Sequence, residues 1–134
     1  MKTNNDILTD FYQIVAASPI SLLSGGIYKK IRPTNSDLED CVISLITGTN
    51  AKFLQNAALY VKIFYKDIFQ DNSYLEDSLN GSVLENLLID LSEKLLKNNE
   101  YSFNVSSRET YTAKVDEINQ HYAIMKMNFR TIIK

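Results

Sequence analysis

The alternation of apolar and polar residues is clearest in the middle of the chain, between Asn56 and Asp67. The run reads NAALYVKIFYKD, and its side chains divide with a period of two into an apolar set and a mixed set. The apolar set is Leu59, Val61, Ile63 and Tyr65, and the mixed set is Ala58, Tyr60, Lys62, Phe64 and Lys66. This period, in a run rich in β-branched and aromatic residues, predicts a strand with one face on a core and one face partly in water.

Two shorter strands are predicted before this central strand. The first runs from Ile27 to Arg32; its charges favour a sheet edge, and Pro33 ends it. The second runs from Glu39 to Thr47 and has apolar residues on both sides, which predicts burial on both faces. Because the link from Gly48 to Phe53 has hairpin length, this second strand and the central strand are expected to be antiparallel neighbours.

Helices are predicted at residues 5–17 and from Val83 to Lys97, since apolar residues recur there at helical spacing. The apolar stripe of the first helix is Ile7, Leu8, Phe11, Ile14 and Val15, and that of the second is Leu84, Leu87, Leu88, Leu91, Leu95 and Leu96. Gly81 indicates a break before the second helix, and Ser82 and Glu85 have the spacing of a capping box. The polar segment from Gln70 to Asn80 predicts a loop.

After the second helix the pattern is again that of strands. Alternating runs begin at Tyr101, Tyr111 and His121, which predicts two or three strands, the last one reaching Ile133. The 134 residues suit a single domain, residues 1–134, with the element order α-β-β-β-α-β-β. We expect an α+β fold with a mostly antiparallel sheet of about five or six strands and both main helices packed on one face.

The composition is that of an ordinary globular chain, with 45% apolar and 22% charged residues. The formal net charge of -2 is too near neutral to favour direct reading of nucleic acid. Cys41 is the single cysteine, so an internal disulfide and a cysteine-based metal site are excluded. No apolar run has the length of a signal peptide or a membrane span, so we expect a soluble protein that is not secreted and contacts no membrane.

Motifs of known catalytic or nucleotide-binding sites are not found in the chain. Gly25 and Gly26 are not followed by the Gly-Lys-Ser/Thr sequence of a phosphate-binding loop. His121, the single histidine, has no neighbouring cysteine or second histidine, and we interpret it as a structural residue. We therefore predict no catalytic residue, no metal site and no cofactor.

One enzymatic alternative, a metal-dependent nuclease, rests on the acidic residues Asp37, Glu39 and Asp40. Such an enzyme would also need an acid two residues before a strand lysine, to hold Mg²⁺ and position the attacking water. Lys62 is a strand lysine, but the residue two positions before it is Tyr60. A solvated loop leading into a strand is therefore the favoured interpretation of the acidic cluster.

The chain contains eight tyrosines and six phenylalanines but no tryptophan. Tyrosine is enriched in the cores of protein interfaces, although most of these rings could also fill the core between sheet and helices. Tyr60 and Phe64 lie on the central strand opposite its apolar set and are the best candidates for a second buried face. If the helices cover one side of the sheet only, this second face needs a partner.

The order of elements also carries a family resemblance. Its short phrases are Gly26-Ile27-Tyr28, Pro33, Glu39-Asp40 opening a strand, and His121-Tyr122 opening the last strand. Over roughly residues 5–133 the chain resembles the tail-terminator and tail-completion proteins of long-tailed bacteriophages, and the related head–tail joining proteins. The resemblance implies a non-enzymatic structural protein that forms a ring, typically a hexamer, on the tail tube and presents a surface to the head.

The same resemblance implies partners and contact segments. The partners would be further copies of the chain, the tail tube and head-connector proteins, in the virion or in the bacterial cytoplasm during assembly. Ring contacts would use sheet edges and loops. The residues assigned to such contacts are Tyr28, Lys30, Arg32, Asn50, Phe53, Tyr60, Phe64 and Tyr74. Besides the nuclease, the alternative is a small module that binds a protein or peptide through an exposed sheet edge.

Overall fold

The computed structural model of the chain describes residues 4–50, 54–97 and 104–132. These ranges contain two α-helices, one 3-10 helix and seven strands. In chain order they are α1 (Asn4–Ala16), the 3-10 helix (Pro19–Leu22), β1 (Ile27–Lys29), β2 (Cys41–Asn50), β3 (Leu54–Lys66), β4 (Ile68–Gln70), β5 (Ser73–Leu75), α2 (Ser78–Leu96), β6 (Asn104–Lys114) and β7 (Gln120–Ile132). The predicted order of elements is confirmed, with the pair β4–β5 added before α2.

Five strands form one sheet in the order β1-β2-β3-β7-β6, while β4 and β5 pair separately. β1 is parallel to β2, whereas the pairs β2–β3, β3–β7 and β7–β6 are antiparallel. Buried residues of α1 and α2 share one core with a single face of this sheet. The α+β class, the mostly antiparallel sheet and the packing of both helices on one face are therefore confirmed.

β3 is the central strand of the sheet, and its predicted period of two is confirmed. Val61 pairs with Ile43 of β2 and with Met125 of β7, and all three side chains are fully buried. The odd-numbered residues from Leu59 to Tyr65 face the helices. The even-numbered residues between them lie on the other face and are half-buried.

The apolar stripes of the two helices cover the buried face of the sheet. Phe11 and Val15 of α1, like Leu88 and Leu91 of α2, are no more than 1% exposed. Burial of a side chain of this size contributes roughly 1.5–3 kcal/mol relative to leaving it in water. Cys41 belongs to the same core, and its burial raises the pKa of the thiol to about 12.

The first two strands differ from the predicted ones at their ends. β1 stops before Lys30, because Lys30 adopts a left-handed backbone conformation with φ 73°. Its N–H still donates to the carbonyl oxygen of Ile43. β2 begins at Cys41, later than predicted, and continues beyond Thr47 to Asn50. The predicted antiparallel pairing of β2 with the central strand is confirmed.

Two late strands are found in the described part of the chain. The run predicted at Tyr111 belongs to β6, which starts at Asn104, while Tyr101 lies outside the described residues. β7 starts at Gln120 and pairs with both β3 and β6. The last strand therefore lies inside the sheet, and β6 forms its edge.

The loop predicted from Gln70 to Asn80 is wrong, because it contains the end of β4, all of β5 and the first turn of α2. Phe69 of β4 pairs with Tyr74 of β5. Asp71 and Asn72 connect the strands with φ 52° and 62°. Two consecutive positive φ angles define the type I′ turn that favours tight hairpins, and Asp and Asn tolerate them better than most residues.

The predicted capping box of α2 is also wrong. The helix begins at Ser78, and its N-cap is Asp77, whose carboxylate accepts the N–H of Asn80 at 3.2 Å. Ser82 and Glu85 therefore lie inside the helix, where backbone N–H groups already have helical partners.

This start of α2 predicts effects of different size for two alanine substitutions. Asp77→Ala is expected to lower the free energy of unfolding by about 1 kcal/mol, because the cap is lost. Ser82→Ala is expected to change it by less than about 0.5 kcal/mol. Urea denaturation of both variants measures the difference. A loss in Ser82→Ala as large as that in Asp77→Ala would contradict this helix start.

Candidate functional site: the uncovered face of the sheet

The face of the sheet opposite the helices, termed the open face, has no helix packed on it in the described parts of the chain. The side chains that define it are Tyr28, Val42, Ser44, Ile46, Tyr60, Lys62, Phe64, Glu109, Tyr111, Tyr122, Ile124 and Lys126. At its centre Val42 and Ile124 are buried between larger neighbours, whereas Ile46 is exposed. The burial of β2 on both faces is thus confirmed at Val42 and wrong at Ile46.

Two lysines of the open face lie over tyrosine rings. The ammonium nitrogen of Lys126 is 5.8 Å from the ring centroid of Tyr60 and 5.3 Å from that of Tyr111. The ammonium nitrogen of Lys62 is 4.8 Å from the ring centroid of Tyr122. Such contacts are favourable because the negative face of the ring attracts the cation. A hydrogen bond with Tyr111 raises the pKa of Lys126 above its ordinary value.

The register of the central strands brings these groups together. Tyr60 of β3 lies opposite Lys126 of β7, and Phe64 lies opposite Tyr122 with the ring centroids 5.8 Å apart. Directly opposed residues on one face of an antiparallel pair are in side-chain contact. The open face therefore combines flat aromatic surfaces with positive charge.

Arg32 extends the open face beyond the end of β2. Its guanidinium carbon lies 4.1 Å from the ring centroid of Phe64. Its Nε is 3.1 Å from Oδ2 of Asp40, and its Nη1 donates to Oε1 of Gln120 at 2.9 Å. A further bond goes to the carbonyl oxygen of Ser36. These contacts fix the guanidinium over the ring, although Arg32 itself lies outside any strand.

The position of Asp40 corrects the interpretation of the acidic cluster. Asp37 is exposed as expected, but the side chain of Asp40 is 0% exposed. Its Oδ1 accepts the N–H of Gly26 at 3.3 Å, and its Oδ2 accepts from the Ser36 hydroxyl and pairs with Arg32. Both oxygens thus have protein donors, which supports a structural role. In the described ranges no three His, Cys, Asp or Glu residues are grouped to hold a metal ion.

A second polar cluster lies where β3 ends and β7 begins. Nδ1 of His121 is 2.5 Å from Oδ1 of Asp67, which agrees with a structural histidine. The hydroxyl of Tyr65 donates to Oε1 of Glu76 at 2.7 Å. Burial, together with this bond, raises the pKa of Tyr65, and the same bond lowers the pKa of Glu76. The cluster holds the base of the β4–β5 hairpin against the sheet.

The segment Asp67–Asp77, which contains the β4–β5 hairpin, is termed the arm. Phe69 is 61% exposed and Tyr74 is 54% exposed, with their ring centroids 5.0 Å apart. Ile68 and Leu75, which pair with each other, are exposed as well. A two-stranded hairpin is at best marginally stable alone, and grouped exposed apolar side chains mark interaction sites. The arm is therefore a second candidate contact surface.

Of the eight residues predicted to form contacts, five lie on these two surfaces. Tyr28, Tyr60 and Phe64 belong to the open face, with Arg32 at its end, and Tyr74 belongs to the arm. The other three are Lys30, exposed at the end of β1, Asn50, at the end of β2, and Phe53, outside the described residues. The structure thus brings together four of the eight predicted residues at one site.

Five aromatic or cationic residues of these surfaces were not predicted as contact residues: Lys62, Tyr111, Tyr122 and Lys126 on the open face, and Phe69 on the arm. The period of two places Lys62 on the same side of β3 as Tyr60 and Phe64, so its position on the open face could have been predicted from the sequence. The signal for the arm was the pair of apolar residues on each side of the Asp-Asn turn.

A comparison with models of known protein families gives no match for the chain. A comparison with curated proteins gives no match either. None of the helices in the described ranges combines the length and the apolar character that a membrane crossing requires. The open face and the arm are thus the features from which a function is inferred.

Proposed function

We propose that the chain is a non-enzymatic structural protein of a phage or prophage tail, which assembles into a ring at the junction of tail and head. The proposal combines the family resemblance of the sequence with the two exposed surfaces of the subunit. It implies self-association, with a hexamer as the expected ring, and contacts with tail-tube and head-connector proteins. The protein would act in the virion, or in the bacterial cytoplasm during assembly.

The observation that carries the proposal is the presence of two different exposed surfaces on one subunit, each a candidate for contact. The open face covers the side of the sheet away from the helices, and the arm extends beyond the end of β3 with Phe69 and Tyr74 exposed. A subunit that contacts its neighbours through two different surfaces makes heterologous contacts, which close into a ring when the rotation permits. A two-fold dimer would need one self-complementary surface only.

Solution mass and tail-tube binding test this function. Sedimentation velocity and light scattering, from micromolar to millimolar protein, are expected to show one closed oligomer rather than a series of longer ones. Addition of the protein to polymerising tail-tube protein from the same phage genome is expected to stop tube growth. A chain that stays monomeric at millimolar concentration and does not bind tubes would contradict the proposal.

A second candidate function, a module that binds an extended peptide, is favoured by the length of the sheet edge. β6 spans Asn104–Lys114, eleven residues at the edge of the sheet. An edge strand of this length can pair with a strand added from a partner. Peptide binding by a monomer, with new protection of the β6 amides from hydrogen exchange, would favour this function over ring assembly.

A further inference from the structure

We propose that the arm of one copy of this chain lies on the open face of a second copy, and that this head-to-tail contact builds the ring. The inference rests on the proposed function and identifies the interface through which it would operate. The occupant of the open face is thus another copy of the chain. Three features of the two surfaces support this pairing.

The first feature is that both surfaces present aromatic rings. Phe69 and Tyr74 of the arm are exposed, while Tyr60, Tyr111 and Tyr122 of the open face have no helix over them in the described chain. Aromatic pairs favour offset or edge-to-face contacts, which rings projecting from a narrow hairpin can make with rings lying on a sheet. The contact would remove the exposed rings of both surfaces from water.

The second feature is the opposite charge of the two surfaces. The open face carries Lys62 and Lys126, and Glu109 at its margin lies 3.9 Å from the ammonium nitrogen of Lys126, which leaves one net positive charge on these three residues. The arm carries Asp71 in its turn and Glu76 at its base, and its sequence contains no Lys or Arg. Complementary charges across an interface fix its register and favour the correct partner. Two open faces, or two arms, would instead place like charges together.

The third feature is a pair of exposed apolar residues at the start of α2, which follows the arm directly in the chain. Leu79 is 83% exposed and Val83 is 56% exposed. These residues are four positions apart in the helix and therefore lie on the same side of it. Grouped exposed apolar side chains mark interaction sites, so the start of α2 adds apolar residues that a contact made by the arm could bury.

Single-stranded nucleic acid is the competing occupant, because stacked aromatics and lysines on a sheet face are typical of such binding sites. The net charge of -2 argues against it. A second copy of the chain is thus the occupant that the charges favour.

Complementation between two variants tests the contact. The arm variant carries Phe69→Ser and Tyr74→Ser, and the face variant carries Lys62→Glu and Lys126→Glu. Each alone is expected to self-associate at least about tenfold more weakly than the wild type. Their mixture is expected to form a heterodimer that does not grow, because one intact face and one intact arm remain.

Matched controls separate the contact from general surface effects. Leu22→Ser replaces a leucine that is 86% exposed on the 3-10 helix, outside both surfaces. Lys94→Glu reverses an exposed charge in the last turn of α2. Both controls are expected to associate within about twofold of the wild type. Circular dichroism verifies folding of every variant, and Lys62→Ala with Lys126→Ala replaces the face variant if charge reversal prevents folding.

Amide chemical shifts give a readout that also detects weak contact. Isotope-labelled arm variant, mixed with unlabelled face variant at millimolar concentration, is expected to shift at Tyr60, Lys62 and Lys126. Absence of these shifts overturns the inference. It is also overturned if the same residues shift when a thymidine decamer is added but do not shift when the face variant is added. If the wild type forms a closed ring and each variant alone forms the same ring, the inference is overturned but the proposed function is not. If the wild type neither associates nor binds tail tubes and the mixture shows no shifts, both the inference and the proposed function fail.

Discussion

The Asp40→Asn variant is expected to lose about 3–5 kcal/mol of its free energy of unfolding, a large share of the stability of a domain of this size. The asparagine keeps the shape of the side chain, so the loss reports the missing charge together with one of the two accepting oxygens. Arg32, whose side chain is 13% exposed, would remain without its carboxylate partner. Chemical denaturation at neutral pH measures the loss.

Asp37→Asn is the matched control for this prediction. Asp37 lies in the same connection between β1 and β2, and its Oδ2 is 3.1 Å from Nζ of Lys66. Both side chains of this pair are at least 60% exposed, and exposed pairs contribute about 0–1 kcal/mol. Equal losses in the Asp37 and Asp40 variants would contradict the assignment of Asp40 as the buried structural member of the acidic cluster.

The parts of the fold that could be predicted from the sequence are those with a local period. Leu59, Val61 and Ile63 recur at every second position, and a strand with one buried face is the only regular element that places them together. The leucines of α2 recur at helical spacing, which sets the side of the helix that packs on the sheet. Both signals arise within one element and need no knowledge of the rest of the chain.

The parts that were missed depend on contacts between distant residues or on very short elements. Arg32 and Gln120 are 88 positions apart, and no local pattern indicates that they share a hydrogen bond. The two strands of the arm have three residues each, too few to show an alternation. Asp71 and Asn72 are typical of a tight turn, but the prediction included them in a longer polar loop.

The candidate site was predictable in the same partial way. The period of two placed Tyr60 and Phe64 on the face away from the core, and the structure confirms that position. The lysine–tyrosine contacts needed the register of β3 against β7, which sets Lys126 opposite Tyr60. Register is the pairing of residues between two neighbouring strands, and the pattern of a single strand does not contain that information.

Gly81 is the residue whose predicted role differs most from its role in the structure. It lies inside α2, although the sequence indicated a break there. A Cβ at this position would be 2.7 Å from the hydroxyl oxygen of Tyr65 and 3.2 Å from its ring carbon Cζ. Glycine inside a helix costs about 1 kcal/mol relative to alanine, so its presence here has a packing reason. The buried ring of Tyr65 occupies the space that a side chain would need.

Gly81→Ala is therefore expected to lower the free energy of unfolding by about 1–3 kcal/mol, even though alanine is the better helix former. The expected loss is smaller, by about 1 kcal/mol, in a Tyr65→Phe background, because the atom nearest to the new methyl group is then absent. Urea denaturation of the wild type, the two single variants and the double variant gives this coupling energy directly.

Asn86→Ala is the control, since Asn86 is exposed on the same helix and its replacement changes helix propensity without steric contact. It should leave the stability unchanged or slightly higher. Gly81→Ala could instead stabilise the protein equally in the wild-type and Tyr65→Phe backgrounds. The change in the free energy of unfolding would then follow helix propensity, and the close approach of the Tyr65 ring would not explain the glycine. A coupling of the expected sign would instead show that the close approach of the Tyr65 ring explains the glycine at this position of α2.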